Sequence, residues 1–236
     1  MEMNQQFLAR DGVFPRGCPQ GRSQLRAECL IEGHDPAVDV TVRLLQVVER
    51  QILDAKDEPV EFLTVAGKRY ASRSETTERV LQISTLPDRT AMVKAADSKQ
   101  AELVEKGARA GTLLWHWESM HCTVEAWIEE LDPGLSRVRV EVANRLEWDG
   151  GGRERTLLRT LHSAHVVMHT PDGAFVSIAD PPHHLRARSA NCRNEGLWPV
   201  PAGEAGDRRT MLATPVHLED YPRGGLSNRN THPSPL

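Results

Sequence analysis

The chain has 236 residues, a formal net charge of −4 and 39% hydrophobic residues, enough for one large all-β domain or two small ones, and for roughly 70% of its unfolded surface to be buried without disulfides or metal. Its 29 basic residues against 33 acidic ones lack the basic excess of a nucleic-acid binder. No apolar run reaches the ~18 residues of a membrane span, and four cysteines (Cys18, Cys29, Cys122 and Cys192) without a C-x-x-C pair argue against a disulfide scaffold or a paired-ligand zinc site.

Residues 1–26 are polar, with Gly, Pro and Arg around Cys18, and read as an extended N-terminal segment. The opening MEMNQQFLARDGVFPRG shows no basic stretch followed by an apolar one, so the expected location is the cytoplasm. A β-sandwich domain is expected over 27–223. Val38, Val40, Val42 and Leu44 alternate with Asp39, Thr41 and Arg43, the period of a half-buried strand. The Gly33-His34-Asp35-Pro36 break before it has turn chemistry, so Cys29–Ile31 is expected to pair back as a hairpin. VEFLTVAGKRY carries a further strand with a tight connection at Ala66-Gly67.

Residues 86–110 are rich in Ala, Lys, Glu and Gln, which favours a charged helical excursion, with Gly107 and Gly111 as stops. From Thr112 the β signal is strongest. Cys122, Val124, Ala126 and Ile128 alternate with Thr123, Glu125, Trp127 and Glu129. Val138, Val140 and Val142 answer them after Asp132-Pro133-Gly134, so this is an antiparallel pair around a turn with Pro at its second position. TLLRTLHSAHVVMH, Thr170-Pro171-Asp172-Gly173 and AFVSIAD read as a second hairpin. In DPPHHLRARSANCRNEGLWPV, Asp180 and Pro181 are placed to start a short helix whose inner face is Leu185, Ser189 and Cys192. DRRTMLATPVHLEDYP supplies the last strand, and 224–236 is expected to be disordered. About nine strands and one or two short helices make a mainly antiparallel all-β fold, a β-sandwich.

The candidate sites lie on these strands. His165 and His169 share one side of a strand and His162 the other; a zinc ion there would need a third ligand such as His116, His121 or Glu118, with His183 and Cys192 as further candidates. Imidazoles on the wet face of a sheet are the ordinary alternative. Trp115 and Trp117 share a side of their strand, either as core or as a flat platform for a sugar or a partner's side chain. Arg186, Arg188 and Arg193 could meet an anion or simply line a solvated helix. The P-loop, G-x-G-x-x-G, G-x-S-x-G and H-E-x-x-H patterns are all missing, and Gly150-Gly151-Gly152 lacks the helix start of a phosphate cradle.

HSAHVVMHTPDGAFVSIADPP, then CRNEGLWPV, then LATPVHLEDYP resembles an uncharacterised bacterial protein family with these motifs in this order. The likeness runs from about residue 137 to 222, and the family resembles one encoded near uptake nickel–iron hydrogenases. Such proteins continue after Asp220-Tyr221-Pro222 with an acidic, partly helical segment, where this chain reads RGGLSNRNTHPSPL. The resemblance implies an accessory or assembly role and carries no catalytic residues.

The sequence thus predicts a non-catalytic cytoplasmic β-sandwich that binds another protein, and the resemblance implies an accessory factor for a metalloenzyme such as a hydrogenase. No nucleic-acid or membrane partner and no cofactor are expected. One alternative is a metal-binding protein or zinc-dependent hydrolase built on the strand histidines. The other is a carbohydrate-binding module using Trp115 and Trp117.

Overall fold

The computed structural model of the protein describes residues 12–84, 86–204 and 206–216. Among the described residues fifteen strands run in chain order: β1 (Gln24–Glu32), β2 (Asp39–Asp54), β3 (Pro59–Val60), β4 (Phe62–Val65), β5 (Lys68–Ala71), β6 (Arg73–Ile83), β7 (Asp88–Lys94), β8 (Asp97–Glu105), β9 (Ala108–Trp117), β10 (Met120–Asp132), β11 (Leu135–Asn144), β12 (His162–His169), β13 (Ala174–Val176), β14 (Leu197–Pro201) and β15 (Thr210–Pro215). Helix α1 (Arg153–Leu158) precedes β12. A 3₁₀ turn (His183–Leu185) leads directly into α2 (Arg186–Ala190). Among the described residues no helix is long and apolar enough to cross a membrane.

The strands form a mostly antiparallel β-sandwich. One sheet has the order β13-β1-β11-β10-β7; the other runs β14-β15-β12-β2-β9-β8, with β3 and β6 also paired to β2. Alternation decides which side chains meet between the layers. Leu25, Ala27, Cys29 and Ile31 of β1, Val138, Val140 and Val142 of β11, and Val40, Val42 and Leu44 of β2 all enter one apolar cluster, joined by Ala164, Val166 and Met168 of β12. This is the period-two pattern of the sequence made physical.

The hairpin expected across Asp132-Pro133-Gly134 is present, with β10 and β11 paired from Cys122↔Asn144 to Asp132↔Leu135. So is the tight β4–β5 connection. Two other expected hairpins are corrected. β1 pairs with β11 and β13 rather than with β2, so the Gly33–Pro36 turn carries the chain from one layer to the other. β12 and β13 likewise lie in different sheets. The Asp172 side chain, at the turn between them, accepts the Ala37 backbone N–H at 3.1 Å and so ties the two layer crossings together.

The helix expected over 86–110 is also corrected: that stretch is β7, β8 and the start of β9. Lys106 and Gly107 take φ values of +51° and +81°, the paired left-handed conformations of a tight two-residue hairpin turn. Ladder bonds to β9 and the burial of Leu103 outweigh a weak helical preference.

β2 is long enough to belong to two structures. Its first half lies between β12 and β6; beyond Val48, β9 takes over the side that β12 held. There β2, β8, β9 and the β4–β5 hairpin build a lobe around a second cluster of Ile52, Val65, Leu103 and Leu113. Gln46 separates the two cores. It is 1% exposed, donates to the Glu118 carbonyl at 3.0 Å and accepts from the Arg79 guanidinium at 2.8 Å.

Of the expected N-terminal segment, residues 1–11 lie outside the described residues. Val13 and Phe14 are buried, and the Val13 N–H donates to the Leu161 carbonyl. The expected tail over 224–236 lies wholly outside them.

Candidate binding surface

The metal-ligand candidates are dispersed. His165 and His169 sit four residues apart on β12, or about 13 Å at strand rise, too far for one ion to join both. His165 faces outward beside Arg43 of β2, with its Nδ1 2.7 Å from the Ser163 carbonyl oxygen. His169 Nδ1 lies 3.1 Å from the Thr210 hydroxyl. His116 is on β9 in the lobe. His121 is on β10, opposite Val93 in the other sheet. His183 is exposed on the 3₁₀ turn, and Glu118 faces Arg155 at 3.8 Å. Among the described residues no three His, Cys, Asp or Glu side chains gather where one ion could be held.

The stretch around α2 is a cover over the outer face of the first sheet. Leu185 packs with Leu30, Leu135 and Val176, and Cys192 lies against the same cluster; burial pushes the Cys192 thiol up to about 11. Glu28, on β1 beneath it, is 1% exposed. Its carboxylate accepts from Arg139 at 2.7 Å and from the Arg193 backbone N–H at 2.8 Å. Arg186, Arg188 and Arg193 are all exposed, and Arg188 pairs with Asp132 at 3.0 Å.

Trp115 turns toward the lobe core, where its indole N–H donates to Glu75 at 3.2 Å and the Lys99 ammonium lies 6.0 Å above its ring. Arg50 completes this group, pairing with Glu75 at 2.7 Å and donating to the Ala71 carbonyl at 2.9 Å. Trp115 is therefore an internal strut of the lobe. Trp117 is half-buried on the same side of β9.

The opposite face of the lobe sheet carries a polar hollow of about 540 Å³, bordered by Glu49, Gln51, Arg73, Ser98 and His116 among others. Register places Ser74, Glu49, His116 and Ser98 in one row across β6, β2, β9 and β8. These are the residue types of a serine–histidine–carboxylate relay, but no hydrogen bond links them among the described residues, and the nucleophile–base contact of such a relay is not formed. Their exposed donors and acceptors suit recognition of a polar surface. A second hollow of about 340 Å³ lies beside His165, between Arg43, Glu78, Val167 and Leu212.

The lobe also presents two apolar side chains, Phe62 at 50% and Val104 at 55% exposure. The sequence concealed this surface because its residues are scattered over β2, β4, β6, β8 and β9. The local signals were the Ala66-Gly67 and Lys106-Gly107 reversals. No family model matches the chain, and no curated protein matches it.

Proposed function

We propose that the protein is a non-catalytic interaction factor that docks another protein on its lobe. One observation carries this reading: β2 and β9 extend past the sandwich to support a second small core, and the lobe built on it exposes Phe62 and Val104 to solvent and carries a polar hollow. Apolar anchors with polar surroundings are the composition of protein-binding patches. The resemblance over residues 137–222 favours a metalloenzyme under assembly, such as a hydrogenase, as the partner, and the cytoplasm as the setting.

The experiment is affinity capture from the native host with the whole chain and with a Phe62→Asp/Val104→Asp variant. Circular dichroism shows whether the variant keeps its β-sheet. The wild type is expected to retain one protein in stoichiometric amount that the folded variant loses. Equal retention by the folded variant moves the docking site off the lobe, and no retained protein removes the reading.

A further inference from the structure

We infer that β7 is a self-association edge through which two copies of this chain join their first sheets into one continuous antiparallel sheet. An edge strand offers unpaired backbone groups to any other strand, and folded proteins usually blunt such edges with proline, bulges, charge or a covering loop. The other edges here are blunted. β14 contains Pro199 and Pro201. β8 is broken by an irregularity between Leu103 and Val104. β13 has three residues, and the Phe175 N–H donates to the Arg208 carbonyl at 2.7 Å. β6 carries Arg73, Glu75, Glu78 and Arg79.

β7 also carries charge, at Asp88, Arg89 and Lys94, but has neither proline nor bulge. It pairs with β10 in unbroken register over seven residues, from Asp88↔Ala126 to Lys94↔Met120, and no proline interrupts it. Among the described residues its other edge has no strand partner in its sheet. Val93 points outward and is 67% exposed, more than any other large apolar side chain among the described residues. Met92, facing the other way, is only half-buried against the core.

The charges of β7 specify the partner. Turned about a two-fold axis through Ala91, the strand sets Asp88 against Lys94 of a second copy, and Lys94 against its Asp88. Arg89 then lies beside Val93 of the other copy, and Ala91 meets Ala91. Directly opposite side chains in such a pair are about 5 Å apart, and the symmetry repeats each favourable contact. A strand of another sequence meets these two opposite charges only by coincidence. The occupant is therefore a second copy of this chain. The inference is independent of what the lobe binds.

The test uses the whole chain. Light scattering on the wild type should give a mass rising with concentration toward 52.6 kDa, twice 26.3 kDa. Lys94→Asp replaces two attractive pairs with two repulsive ones and should weaken association on the order of tenfold. Adding Asp88→Lys in the same chain should restore it. Under mild oxidation Ala91→Cys should form a symmetric disulfide, whereas Val93→Cys, about 13 Å from its own copy in this register, should not exceed wild type. A monomer at the highest soluble concentration overturns the inference. So does a dimer indifferent to Lys94→Asp, or Val93→Cys cross-linking as readily as Ala91→Cys.

Discussion

Glu28 and Arg193 lie 165 positions apart in sequence, yet the buried carboxylate of the first accepts the backbone N–H of the second at 2.8 Å. The same carboxylate accepts from Arg139, and the Glu28 backbone N–H donates to the Asn194 side chain at 2.7 Å. The segment after α2 is thereby fastened along β1, where Arg26 and Glu195 exchange two backbone hydrogen bonds of 2.9 Å.

Glu28→Ala should therefore destabilise the protein by about 2 kcal/mol, because it leaves a guanidinium and an N–H without their acceptor. The value stays at the low end because Arg139 is 38% exposed and can turn to water. Arg188→Ala, which removes an exposed pair with Asp132, should cost less than about 0.5 kcal/mol. Chemical denaturation of the two variants checks the contrast; equal losses would refute the anchoring role of Glu28.

The lobe should open more easily than the sandwich. Its core holds Ile52, Val65, Leu103 and Leu113, against more than two dozen buried residues in the main cluster. Leu113→Ala should cost about 2–3 kcal/mol of local stability. It should speed amide exchange in β4, β5, β8 and β9 while β1, β11 and β12 keep their protection. Uniform loss of protection would mean that lobe and sandwich unfold as one unit.

The thiols set an alkaline limit. Burial pushes Cys122 up to about 12 and Cys192 up to about 11, from an ordinary value of 9.0, and Cys29 rises further. The folded state holds these protons more tightly than the unfolded chain does. Their contribution to stability is thus whole below about pH 9 and is lost as the pH climbs through 9 toward 12. Unfolding free energy should fall across that window, and less steeply in Cys122→Ala. Native Cys192 should alkylate roughly a hundredfold more slowly at pH 8 than an unperturbed thiol.

The start of α1 should loosen in acid. The Gly151 backbone N–H donates to Asp149 at 3.1 Å, and Arg159 and Arg155 lie beside it, so the Asp149 carboxyl sits below its usual range. A lowered folded-state value means this support is present above the ordinary carboxylate pKa and is lost as the pH falls through the folded one. Trp148, whose indole N–H reaches the Thr156 hydroxyl at 3.4 Å, is a built-in reporter. Its fluorescence should change on acidification in the wild type and be far less pH-sensitive in Asp149→Asn.

The strands were legible wherever one face meets core and the other water. Val138, Val140 and Val142 alternate with Arg137, Arg139 and Glu141 because a pleated strand turns successive side chains to opposite sides. The reversals at Ala66-Gly67 and Pro133-Gly134 were legible too, since left-handed or preset φ values are properties of the residues themselves. Leu185 and Ser189 turn inward as helical spacing expects, although the α-helix spans only Arg186–Ala190 and Cys192 follows it half-buried.

Beyond the β4–β5 and β10–β11 hairpins, which strand pairs with which was decided by the tertiary structure. Val38–Leu44 is followed by the same residues whether it folds back on Cys29–Ile31 or crosses to a second sheet; the choice depends on distant strands that cover each face. Residues 97–105 carry helix-forming side chains, and only the ladder to β9 and the cover of β4 and β5 make them extended. The row of Ser74, Glu49, His116 and Ser98 exists for the same reason. Periodicity belongs to one segment, whereas register and layer are agreements between segments that no single stretch of chain contains.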